Sequence, residues 1–150
     1  MMLLLALLVA CGGDPTPATP PPAAVPVAPA TPPPEAPVGP DGPESIVVPE
    51  IASISTDKAA IEAGEKVFTT RGCPACHKFE EKLVGPPLKG VTDRRSIKWM
   101  QRMILEPDVM VKKDPVAKGL FATYMTPMSK QGVTPEEMPN LLAYIKHEGE

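Results

Sequence analysis

Apolar positions along the second half of the chain recur at helical spacing. Ala60, Ile61, Gly64, Val67 and Phe68 fall three and four residues apart, the period of a helix with one buried face. Ser55 or Thr56 can cap it, so a helix is predicted to about Thr70. Ile97, Met100, Met103 and Ile104 repeat the pattern, with Asp93 as cap, over about Arg94 to Leu105 and stopping ahead of Pro107. Asp114-Pro115 is a cap and first-turn pair for a short helix to about Thr123. Thr134-Pro135-Glu136-Glu137 reads as a capping box, and Leu141, Leu142, Tyr144 and Ile145 supply the apolar side of a final helix. Pro139 disturbs that helix, because a proline beyond the first turn removes a backbone bond and clashes one turn back. The helix therefore starts later than the box suggests, or bends. Gly85–Val91 and Tyr124–Gly132 carry turn residues without a helical period. The fold class is all-α.

The N-terminal third has a different character. Met1–Ala10 is an apolar run too short to span a bilayer, and it ends in Leu8-Val9-Ala10-Cys11. It resembles a bacterial lipoprotein signal, a likeness that implies lipid on Cys11, although the basic residues that usually open such a signal are missing. Gly12 to Pro49 is dominated by Pro and Ala, with Pro20-Pro21-Pro22 and Pro32-Pro33-Pro34 inside it. Such a composition buries too little apolar surface to offset its ordering entropy, so it reads as an extended, solvated stalk. At about 3.1 Å per residue in polyproline II, a stretch of this length reaches at most on the order of 100 Å. Ile46-Val47-Val48 is the one part expected to dock on the folded region. The chain thus divides into a signal segment (1–11), a stalk (12–54) and one folded domain (55–150).

Charge follows the same division. All 15 Lys and Arg of the chain lie after Ser55, where they face 13 Asp and Glu, a balance of +2. Asp14, Glu35, Asp41, Glu44 and Glu50 leave the stalk at −5. No basic stripe is dense enough for nucleic acid.

The chemistry concentrates in Cys73-Pro74-Ala75-Cys76-His77. Two thiols three positions apart, with histidine directly after the second, is the spacing of a c-type haem attachment site. The thiols add across the two vinyl groups of one porphyrin, and the next residue aims an imidazole nitrogen at the iron. Other readings of the residues stand beside it. A Cys-x-x-Cys pair can be a dithiol redox centre, which usually opens the helix after the first strand of a βαβ unit, yet no strand pattern precedes Gly72. It can be half of a zinc site, which needs a second pair of ligands, and the other histidine, His147, stands alone. The match can also be accidental.

From about Thr56 to the end, the sequence resembles the class I cytochromes c. Gly64-x-x-x-Phe68 is similar to the N-terminal helix of that family, which crosses the C-terminal helix at its small residue, and Leu141-x-x-Tyr144 is similar to the partner helix. Gly85-Pro86-Pro87-Leu88 resembles a segment whose proline carbonyl, here Pro86, accepts a bond from the haem histidine. Met128, with Gly132 and Thr134 behind it, fits the register of the family's methionine loop, and Met125 is its rival as sixth ligand. In many relatives a tryptophan or arginine bonds a haem propionate, so Trp99, Arg94 and Arg95 are candidates, with plain packing and plain solvation as alternatives. Met100, Met103, Met110 and Met138 read as core filler.

The resemblance implies a small helical domain around one haem c, held covalently by Cys73 and Cys76 and ligated by His77 and Met128. Such an iron has no open position, which points away from enzyme activity and towards a carrier cycling between Fe(III) and Fe(II). Together with lipid on Cys11 it implies a monomer tethered to a bacterial membrane on the extracytoplasmic side. There it would pass electrons between respiratory-chain proteins such as a quinol-oxidising complex and a terminal oxidase or reductase. Lys78, Lys82, Lys89 and Lys130 are candidates for a docking ring that steers an acidic partner. A five-coordinate haem gas sensor or weak peroxidase is the alternative if no methionine ligates, and a thiol–disulfide centre if haem is never attached.

Overall fold

The computed structural model describes residues 41–150, so the expected signal segment with Cys11 and most of the expected stalk lie outside the described residues. Among the described residues the chain forms helices and turns and no strand. α1 spans Lys58–Thr70, α2 is a single turn at Val91–Arg94, and α3 spans Ile97–Leu105. α4 follows at Pro107–Lys113, α5 at Pro115–Tyr124 and α6 at Met138–Gly149.

The frame is the crossing of α1 and α6. Gly64 is buried in α1, and a methyl group there would lie 2.0 Å from the carbonyl oxygen of Asn140 and 2.7 Å from Tyr144 Cβ. Only a residue without a side chain lets the two backbones approach this closely. Beside the crossing, the rings of Phe68, Phe79 and Tyr144 pack with centroids 5.2 to 5.9 Å apart. Such spacings suit offset and edge-to-face aromatic pairs. Phe79 lies two residues after His77, so this cluster fastens the Cys-x-x-Cys-His segment to the helix pair.

The helix boundaries differ from expectation where caps compete. The expected helix from Arg94 is split. Arg95 is extended, and the Ser96 hydroxyl oxygen accepts from Trp99 N at 3.1 Å, capping α3 in place of Asp93. Serine is as good a cap as aspartate, and its position matches the apolar face better. Pro107 ends α3 and also opens α4, a helix the sequence reading lacked, because proline suits the first helical position. In α5 the Asp114 carboxylate accepts from Ala117 N at 2.8 Å. α6 begins at Met138, so Pro139 falls in its first turn, where a missing N–H disrupts no helical bond. The capping-box glutamate still works one turn early: Glu137 Oε2 accepts from Thr134 N at 2.9 Å.

The folded part also begins earlier than residue 55. Ile46 is 4 % exposed and belongs to the core, and Gln101 Nε2 donates to Pro49 O at 3.0 Å. Residues 41–50 therefore lie against α3 and α4 as a strap, with Ile51 and Ile54 partly buried against the core. The composition of the stalk concealed this, because the groups that hold the strap are its main-chain carbonyls. The rest of the core comprises Phe68, Trp99, Met100, Met110, Ala117, Val133, Met138, Leu141, Leu142 and Ile145, with Met103 partly buried against it.

Candidate functional site

Gly72, at φ +75°, terminates α1 in the left-handed region and turns the chain into a 3₁₀ turn over Cys73–Ala75. Cys76 N and His77 N both donate to Cys73 O, at 3.2 and 3.0 Å, so the two cysteines and the histidine share one turn. Both thiols are free and half-buried. Burial pushes the Cys73 thiol above its ordinary pKa, its main-chain bond opposes the shift, and Cys76 adds to it.

Residues 85–89 run back beside this turn. Gly85 N donates to Cys76 O at 2.8 Å, Leu88 N to Lys78 O at 2.9 Å and Lys89 N to Phe79 O at 2.9 Å. That pairing places the Pro86 carbonyl oxygen 2.9 Å from His77 Nδ1. A carbonyl only accepts, so Nδ1 carries the proton and Nε2 keeps the lone pair. Burial pushes the imidazole pKa down, and the Pro86 bond opposes it. The neutral ring, with Nε2 as donor atom, is the form that ligates a metal. Gly85 completes the cradle: a methyl there would sit 2.6 Å from His77 Cε1. Sequence reading noted Gly85 as part of a turn and missed that only glycine fits against the ring.

The two loop methionines differ. Met125 caps α5 at φ 54° and is 76 % exposed, whereas Met128 is half-buried. The far end of this loop is fastened near the cysteines. Arg71, two residues before Cys73, donates from Nε and Nη2 to both carboxylate oxygens of Glu137 at 2.8 to 3.1 Å. The Arg71 guanidinium holds the Glu137 carboxyl below the usual carboxylate range, helped by the main-chain bond at Thr134. This bidentate pair was not legible in the sequence, since its members lie 66 residues apart.

Other candidates are engaged elsewhere. Trp99 is 4 % exposed and its indole N–H donates to Asp114 Oδ1 at 3.1 Å, so the donor considered for a propionate is satisfied inside the core. Arg94 Nη1 donates to Lys89 O at 2.6 Å, and the Arg95 guanidinium lies 5.2 Å from the Trp99 ring centroid. Three of the four docking lysines are paired: Lys78 with Glu81, Lys89 with Glu80 and Lys130 with Glu106. Lys82 Nζ lies 5.1 Å from the Tyr124 ring centroid, a contact that joins the segment after His77 to the end of α5. His147 is exposed on α6, and no group of three or more His, Cys, Asp or Glu able to hold a metal ion gathers among the described residues.

Two free thiols and a tautomer-locked imidazole in one turn fit a covalently held porphyrin. The segment after that turn also leaves apolar side chains exposed for a macrocycle to cover, at Leu83 and Val84. An all-helical domain with this turn defines a c-type haem protein. The chain belongs to the cytochrome c family: residues 61–148 match the family model described as Cytochrome c. It holds one haem c, attached through Cys73 and Cys76. The chain is 52% identical over 31 residues to cytochrome c-551 of Azotobacter vinelandii, covering 21% of this chain and 38% of that protein. It is 32% identical over 56 residues to cytochrome c-551 of Stutzerimonas stutzeri, covering 35% of this chain and 54% of that protein. The matches thus span less than two thirds of either relative. Among solved structures, cytochrome c from Rhodothermus marinus aligns with a TM-score of 0.61 at 31% identity, over 73% of this chain and 90% of that one.

Proposed function

We propose that the protein is a one-electron carrier, with haem held by His77 and Met128, tethered through lipid on Cys11 to a bacterial membrane on its extracytoplasmic (periplasmic) side. The observation that carries this reading is the 2.9 Å contact between His77 Nδ1 and the Pro86 carbonyl oxygen. It leaves Nε2 as a fixed, neutral donor, the arrangement a permanent axial ligand needs and a dithiol centre does not. Bound haem supplies the Fe(III)/Fe(II) couple. The chain's part is to hold and tune it. Pro86 orients the imidazole and raises its basicity, and Gly85 lets the carbonyl approach. A half-buried Met128 offers a soft thioether on a loop anchored at the Arg71–Glu137 pair, and such a donor favours the reduced state over a second histidine.

If His77 and Met128 both hold the haem iron, no open position would be left for a substrate, so the protein is read as a carrier and not an enzyme. Tethering keeps it near membrane partners, such as a quinol-oxidising complex and a terminal oxidase or reductase, at raised effective concentration. It acts as a monomer. Because three docking lysines are neutralised by neighbouring glutamates, association with those partners should depend weakly on ionic strength.

The deciding experiment is a visible spectrum of the haem-loaded protein, oxidised and reduced, beside Met128→Ala and Met125→Ala. A sharp reduced α band, with a weak long-wavelength ferric band lost only in Met128→Ala, is the expected result. A high-spin spectrum in the unmutated protein that binds carbon monoxide on reduction would overturn it and favour a gas sensor or weak peroxidase.

A further inference from the structure

We propose that the N-terminal strap, residues 41–50, is a positioning element for the methionine loop, with Arg102 as the residue through which it acts. The inference rests on the His77/Met128 reading above.

Arg102 is 8 % exposed. Its Nε donates to Ile46 O at 3.0 Å, and its Nη1 donates to Asp41 O at 2.7 Å and Gly42 O at 2.9 Å. Among the described residues, its side-chain bonds all end on main-chain carbonyls of the strap. A guanidinium buried in this way has no other acceptor to turn to, so strap and α3 hold each other. The strap reaches α4 as well. Gly42, at φ +84°, lies so close to Met110 that a methyl group there would sit 3.1 Å from its sulfur.

The loop is tied to the same place. The Arg102 carbonyl accepts from Glu106 N at 2.9 Å, and the Glu106 carboxylate accepts from Lys130 Nζ at 2.5 Å. Glu106 stands at the junction of α3 and α4, and Lys130 lies two residues beyond Met128. One junction therefore carries the strap on one side and the methionine loop on the other. The Lys130–Glu106 pair is exposed and weak by itself. Its value as an anchor depends on the junction staying put, which is what the strap provides. A loosened junction would let Met128 leave its position more often without unfolding the helices.

The test uses the full-length, haem-loaded ferric protein and free imidazole, which binds only when the methionine has left. Apparent imidazole affinity scales with the fraction of protein in that open state. Six proteins are compared under native conditions: the parent, Ile46→Ala, Arg102→Met, Lys130→Ala, the Ile46→Ala/Lys130→Ala double variant and Met128→Ala, with circular dichroism confirming that each is folded. Met128→Ala should bind most tightly. Ile46→Ala should bind about tenfold tighter than the parent, matching a tenfold rise in the open fraction. Lys130→Ala should loosen the same junction, so its effect should not multiply with that of Ile46→Ala. A folded Ile46→Ala that binds imidazole like the parent overturns the strap proposal alone. If Met128→Ala binds no more tightly than the parent, the methionine reading fails and the strap proposal fails with it. Arg102→Met should also tighten imidazole binding, and parent-like binding in a folded Arg102→Met would overturn the role of Arg102; should that variant not fold, Ile46→Ala, which loosens the strap's packing on the core, still decides.

Discussion

Trp99 illustrates how much a single residue's role depends on its partner. From sequence it stood as a propionate donor or a core residue. Its indole N–H instead meets Asp114 Oδ1, the same oxygen that caps α5 through Ala117 N. Asp114 is 2 % exposed, so these donors stabilise a buried carboxylate. Trp99→Phe should therefore lower stability by about 1.5–3 kcal/mol, the cost of a lost hydrogen bond to a charged group. The reduction potential should stay within error of the parent. Denaturant titration and a redox titration check both halves, and a potential shift with unchanged stability would restore the propionate role. The cysteines and His77 were readable from their spacing. Gly85 was visible only as a turn residue, because its true constraint is a clash with a ring eight positions earlier.

Between elements, the α1–α6 crossing is the contact most exposed to a small change. Gly64→Ala places a methyl 2.0 Å from a carbonyl oxygen, and neither helix backbone can yield without shifting the aromatic cluster. Overpacking of this kind costs about 1–3 kcal/mol, measurable as a lower denaturant midpoint with an unchanged slope. The Arg71–Glu137 pair gives a pH-dependent prediction. Glu137 is depressed below its ordinary value in the folded chain, chiefly by Arg71. Its contribution is therefore present above the unfolded pKa of about 4.3 and is lost as pH falls through the lower folded value. Glu137→Gln should melt below the parent near neutral pH, with the gap closing as pH drops under about 4. Thermal melts across that range check it, and a gap independent of pH would sink the assignment. The longer helices were legible because buried faces impose a period, whereas the short α4 was not. Boundaries were not either, since Ser96 and Asp93 are comparable caps until tertiary contacts choose.

For the whole molecule, the tether is the main proposal outside the described residues. Cys11→Ala should move the protein from the membrane fraction to the soluble extracytoplasmic fraction while haem stain and spectrum persist. Membrane retention in that variant would remove the lipid anchor from the picture. The folded region starts before the expected stalk's end, because residues 41–50 lie against α3 and α4. Composition suggested a stalk to residue 54, and only Ile46-Val47-Val48 hinted otherwise.

The amino-acid sequence alone determined the haem-binding turn and the helical class. Both depend on neighbours a few residues apart, where covalent spacing leaves little choice. Tertiary structure decided which groups satisfy the buried polar atoms: Asp114 for Trp99, the strap carbonyls for Arg102, Glu137 for Arg71. Those partners stand 15 to 66 residues away in the chain. No local pattern encodes such a pairing, because a hydrogen bond is chosen by where two atoms end up once the core has closed around them.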